Sequence, residues 1–188
     1  MSSPVIDPRP LPGEPLSLDL LNTRWMTGDG PRDLLAEPDG LTVWLAANKL
    51  AGHCPQDAAA REALLAAREA LAVAVRDPGA PSREALDGLN AVLAHGRVRR
   101  LIGPDGRPAE EVETDLPAWR APWIAVNDYL ELLAADPGRI RACAHDRCVL
   151  HFFDTSQNRR RRWCSMAVCG NRAKASRHHA RTKEPRPE

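Results

Sequence analysis

Cys143-Ala144-His145-Asp146-Arg147-Cys148 and, fifteen residues further on, Cys164-Ser165-Met166-Ala167-Val168-Cys169 are the stretch that decides how this 188-residue chain is organised. Two close cysteine pairs joined by a longer span have the form of a four-cysteine zinc site, because each short loop bends round an ion and presents two thiolates. Zinc suits soft sulfur ligands and has no redox chemistry of its own. Four thiolates close the coordination shell, so the ion is structural Zn2+ and leaves no position for water or substrate. Two other readings stay open: reduced buried cysteines whose spacing is accidental, and His145 or His151 replacing one sulfur. A redox pair is disfavoured because neither pair has the two-residue spacing of a thiol oxidoreductase. The fifth cysteine, Cys54, stands apart and reads as a buried apolar residue.

Charge divides the chain at the same place. From Arg139 to Glu188 there are thirteen Lys or Arg against four Asp or Glu, a balance of +9, while residues 1 to 138 carry thirteen against twenty-one, or −8. The formal net charge of +1 hides this division. A basic end of this kind points to a nucleic-acid or acidic-surface partner. Its densest part is Arg159-Arg160-Arg161-Arg162-Trp163, whose guanidinium groups suit phosphate or a guanine edge. The alternatives are a solvated loop for the arginines and core packing beside Cys164 for Trp163. After Cys169, Gly170 is expected to turn tightly into a helix. On it Lys174, Arg177, His178 and Arg181 fall at i, i+3, i+4 and i+7, sharing one face opposite Ala173, Ser176 and Ala180.

The rest of the chain reads as mainly α, since alanine and leucine supply the apolar surface and aromatics make up only 4%. Residues 1–15 hold five prolines and are expected to be a disordered leader. Leu16 to Arg24 alternates like a short strand or a first helical turn, and a loop is expected from Gly28 to about Gly40. Helices are predicted over Leu41 to Leu50, buried on more than one face, and over Gln56 to Arg76. Arg61 and Arg68 lie on the latter's leucine face, with heads reaching water, an acid or a buried polar site. A further helix, capped by Ser82, carries a stripe of Leu86, Leu89, Val92 and Leu93. A small β-hairpin turns at Asp105-Gly106. The next helix begins near Pro122, buries Trp123, Val126, Leu130 and Leu133, and breaks at Asp136-Pro137-Gly138.

No phosphate-binding glycine loop, serine-histidine-acid set or paired-carboxylate site is recognisable. Asp154-Thr155-Ser156 reads as a turn cap rather than a nucleophile site. The expectation is a non-enzyme with no catalytic residues. No window approaches a membrane span and no export signal is visible, so a soluble, cytoplasmic protein is expected.

Arg162-Trp163-Cys164-Ser165-Met166-Ala167-Val168-Cys169-Gly170-Asn171-Arg172-Ala173-Lys174 resembles the signature of the CGNR zinc finger, and Cys143, Cys148 and Phe153-Asp154-Thr155-Ser156 fit the same pattern. Leu18-Asp19-Leu20-Leu21-Asn22-Thr23-Arg24 is similar to the opening of the ABATE domain. Together with the proline-rich leader at 1–15 and the break at Asp136-Pro137-Gly138, the resemblance gives an ABATE-like α-rich domain at 16–137, a CGNR-type finger at 138–183 and a tail at 184–188. It implies a bacterial transcription regulator whose finger binds DNA and whose first domain senses a ligand or stress signal. Cys143, Cys148, Cys164 and Cys169 carry over as zinc ligands, and Arg172 and Lys174 as motif residues. Asp19, Asn22 and Arg24 are the candidate ligand-binding cluster, with capping and packing as their alternative role. Competing readings are an RNA-binding module, a protein-interaction adaptor and an enzyme hidden in the first domain.

Overall fold

The computed structural model describes residues 7–172 and 174. The alternating leucines of Leu16–Leu21 form a helix, α1, rather than a strand. Ser17, Leu18, Asp19, Leu20 and Leu21 are all buried, which is possible because the polar members have partners. Ser17 donates from its backbone N and its Oγ to Asp128 at 2.9 and 2.6 Å. Asp19 accepts from Arg9 at 2.6 Å and from Asn48 at 2.9 Å.

The expected loop after Trp25 is in part a hairpin, β1 (Arg24–Thr27) and β2 (Gly30–Asp33), paired antiparallel. Gly30, at φ +124°, takes a backbone conformation closed to other residues. Asp33 then caps a 3-10 turn over Leu34–Ala36 by accepting from Leu35 N, and both leucines are buried. Gly40 opens α2 (Gly40–Ala47), where a Cβ would sit 1.7 Å from the Leu34 carbonyl oxygen. Leu41, Val43, Trp44 and Leu45 are buried, as a helix covered on more than one face requires.

α3 (Ala58–Ala74) is capped by Asp57 and α4 (Arg83–Leu93) by Ser82, whose side chain accepts from Ala85 N. The two helices touch at Gly88 and Ala70. Ala85, Leu89 and Val92 form the buried side of α4, while Leu86 faces outward, 43% exposed, because the contact is narrower than the apolar stripe. β3 (Gly96–Ile102) and β4 (Pro108–Thr114) form the anticipated hairpin round Gly106, at φ +76°. α5 (Arg120–Ala135) buries Trp123, Val126 and Tyr129, but Leu130 is 40% exposed rather than part of the buried face.

After a turn at Pro137–Arg139, β5 (Ile140–Ala142) pairs with β6 (His151–Phe153). The architecture is mainly α with three two-stranded antiparallel sheets among the described residues. One continuous apolar core runs from Leu18, Leu20 and Leu71 through Val126 and Tyr129 to Ile140, Leu150 and Phe152. Among the described residues no helix is long and apolar enough to cross a membrane.

Residues 7–15 correct the expectation of a disordered leader. Arg9 is 4% exposed and bridges Asp7 and Asp19, and Glu14 accepts from Phe153 N at 3.0 Å. Long-range ion pairs of this kind leave no local sequence signal. Asn22, fully buried at the end of α1, clasps β6: its side chain accepts from His151 N at 2.8 Å and donates to His151 O at 2.9 Å. Asn22→Leu removes both contacts and is expected to lower unfolding free energy by about 2 to 4 kcal/mol, the cost of stranding two backbone groups. Chemical denaturation of the full chain measures it.

Candidate metal centre

The first cysteine pair sits in the loop that closes the β5–β6 hairpin. Cys143 N donates to Leu150 O at 2.9 Å and Cys148 N to His145 O at 2.9 Å, so the loop curls and turns both thiols to one side. The second pair is brought alongside by Ala144 N, which donates to Arg162 O at 2.8 Å, and by Cys164 N, which lies 3.4 Å from Cys143 Sγ. Ser165 caps a π-helical turn, Met166–Gly170, by accepting from Val168 N, and this turn presents Cys169. Asn171, Arg172 and Lys174 continue as helix.

The four sulfurs all lie within 4.8 Å of one another. Cys148 and Cys164 are 3.8 Å apart, and Cys164 and Cys169 3.6 Å. A tetrahedron with metal–sulfur bonds of about 2.3 Å has edges of about 3.8 Å, so the spacing fits one zinc ion and is far too long for a disulfide. Cys143, Cys164 and Cys169 are buried and Cys148 half-buried, so solvent has little access. Neither His145 nor His151 belongs to the group.

The thiols also report the need for a counter-charge. A hydrogen bond from Cys164 holds the Cys148 thiol down to about 5, against the opposing effect of burial. Cys164 is driven far upward, first by that same bond and then by burial, and burial pushes Cys169 up to about 12. Four adjacent sulfurs cannot all ionise by themselves, and a divalent cation removes that conflict by deprotonating its ligands outright. Cys54, outside the group, is pushed up by burial, as an apolar packing role requires.

The arginine run is not four equivalent charges. Arg161 turns inward: its guanidinium lies 4.2 Å from the Phe152 ring centroid and donates to Glu14 at 3.0 Å, Cys164 O at 2.7 Å and Trp163 O at 3.1 Å. It is a clamp between the finger and the segment before α1, contrary to the expected surface role. Arg159, at φ 53°, pairs with Asp136 at 2.9 Å. Arg160 and Arg162 are exposed, the latter 5.2 Å from the Trp163 ring centroid. Arg172 and Lys174 are exposed on the last described turn. Arg177, His178 and Arg181, and with them Ala173, Ser176 and Ala180, lie outside the described residues.

Asp154, fully buried, underlies this loop by accepting from Ser156 N and Oγ and from Arg161 N. Burial alone would raise its pKa, but these bonds and Arg141 outweigh it and hold the carboxyl below its ordinary value. It is a cap, as its sequence context suggests. Gly170 has no positive φ; it makes room for Met166, whose Sδ would lie 2.8 Å from a Cβ there, so the expected tight turn is replaced by close packing.

The comparisons with known proteins follow the same division. The ABATE profile, described as "Putative stress-induced transcription regulator", matches residues 14–136. The chain belongs to the ABATE family. The CGNR zinc finger profile matches residues 139–182, which contain all four cysteines, and the cluster fits a structural Zn2+. No curated protein matches the chain. Both matched families are regulator and zinc finger types rather than enzymes.

The three residues considered for ligand binding in the ABATE domain do not form one site. Asp19 is consumed by Arg9, Gly13 N and Asn48, and Asn22 by His151. Arg24 is 48% exposed and pairs with Asp33 and Glu69. Arg68, flagged by its place on the leucine face of α3, is the buried polar site. It is 1% exposed and donates to both oxygens of Asp33 at 2.7 Å and to Thr23 Oγ1 at 2.7 Å. Arg61 on the same helix is exposed. No local pattern marks Asp33 or Thr23 as its partners.

Cys164→Ser removes the sulfur closest to two others. Bound zinc, measured by elemental analysis, is expected to fall from one ion per chain to none.

Proposed function

We propose that this protein is a zinc-dependent DNA-binding transcription regulator of bacteria, with no catalytic role. Cys143, Cys148, Cys164 and Cys169 hold the ion, and the ion fixes a small basic surface. The observation that carries the reading is the placement of Arg160, Arg162, Arg172 and Lys174, all exposed on segments that flank the cysteine cluster. In the sequence, Arg177, His178 and Arg181 follow Lys174 at the i+3, i+4 and i+7 positions.

The physical logic is electrostatic. A chain segment with balance +9 gains by displacing counterions from a polyanion, while the −8 segment is repelled and orients the molecule. The finger alone has too few large apolar groups to fix its loops, so the metal supplies the rigidity that docking needs. Arg162, exposed and 5.2 Å from the Trp163 ring centroid, is a bidentate donor suited to phosphate or a guanine edge. Arg161 is excluded from the contact because its donors are used internally.

A salt titration of full-length, zinc-loaded protein on duplex DNA tests this. The logarithm of affinity is expected to fall with the logarithm of salt by about 0.9 for each phosphate neutralised, and Arg160→Ala with Arg162→Ala to reduce that slope by about 2. Single-stranded RNA is expected to compete poorly. Salt-insensitive binding, or stronger competition by RNA, overturns the proposal.

A further inference from the structure

Between the ABATE domain and the finger lies a cleft of about 420 Å³, within the range that holds small molecules. Trp25 and Met26 of β1 and Ala72 of α3 form one side of it, and Val149 and His151 of the finger contribute the other. Its lining surface is largely apolar, and its charged members are Arg24, Arg32 and Arg68 against the single acid Asp33.

Two polar atoms of this lining have no hydrogen-bond partner among the described residues, although both are buried: Arg68 Nε and His151 Nδ1. Arg68 has already committed three N–H groups of its terminal nitrogens to Asp33 and Thr23, and its Nε–H is left without an acceptor. Stranding a buried guanidinium donor costs free energy unless something accepts from it. The two residues come from different domains and both line the one cleft. Neither has a role in the metal centre or in the basic surface.

We infer that this cleft binds a small, mainly apolar molecule carrying a carbonyl or carboxylate oxygen, which accepts from Arg68 Nε while its body lies against Trp25, Met26, Ala72 and Val149. Charge-assisted donation from a guanidinium makes an oxygen acceptor the favoured group, and a cationic ligand is disfavoured beside Arg68. His151 supplies a second polar contact from the finger side. Since both domains supply walls, an occupant ties the hairpin β1–β2 to the finger. This inference stands apart from nucleic-acid binding and is tested without DNA.

The test uses the full-length, zinc-loaded chain with 2-naphthoate, 2-naphthamide and 2-naphthylmethylamine, followed by calorimetry and by the Arg68 Nε–H signal in 15N NMR. Naphthoate or naphthamide is expected to bind with a dissociation constant of about 1 mM or tighter and to shift that signal, and the amine to bind at least about tenfold more weakly. The pair of acceptors separates a carboxylate from a neutral carbonyl. Ala72→Phe and Val149→Trp fill the cleft from opposite sides while leaving both members of the Arg68–Asp33 pair in the chain, and each is expected to weaken binding at least about tenfold with zinc content and helicity unchanged. No binding of either acceptor at that concentration, equal binding of the amine, or affinity unaltered in both variants overturns the inference.

Discussion

Four sulfurs brought within 4.8 Å of one another are the constraint on which the carboxy-terminal third depends. The arrangement is unfavourable for bare thiols, since ionising one drives its neighbours upward, and favourable for a cation that takes all four. The surrounding backbone is organised to hold it. The β5–β6 hairpin supplies one pair and the Ser165-capped turn the other, with the Ala144–Arg162 hydrogen bond joining the two strands of chain. Among the described residues of this region, Ile140, Leu150 and Phe152 are the large apolar side chains that are buried, so metal and core act together.

The finger is not an appendage. Asn22 reads both backbone groups of His151, Glu14 meets Phe153 and Arg161, and the apolar core passes through from α1 and α5 to Phe152. Arg160, Arg162 and Arg172 stay exposed on the part of the finger beyond these contacts. The seam also leaves a cleft lined by residues of both domains, among them Arg68 and His151, each with a buried nitrogen that has no partner among the described residues.

What the sequence discloses follows the range of the interactions. The cysteine spacing, the Ser82 cap and the Gly106 turn act within a few residues, and each appears in the structure where the sequence places it. Arg9, Glu14 and Arg161 escape such reading because Asp19, Phe153 and Glu14, their respective partners, lie 10, 139 and 147 positions away. Four adjacent arginines look alike until Phe152 and Glu14 distinguish one of them. The β1–β2 hairpin lacks an alternating apolar pattern, since Trp25 alone of its residues is buried. Leu86 and Leu130 show the opposite error, an apolar stripe wider than the surface that covers it.

X-ray absorption at the zinc edge of the purified full-length protein addresses the metal centre without any substitution. Four sulfurs at about 2.3 Å and no nitrogen or oxygen scatterer are expected around the ion. A shell containing imidazole or water, or a protein that retains its fold with no metal bound, contradicts a structural four-sulfur site.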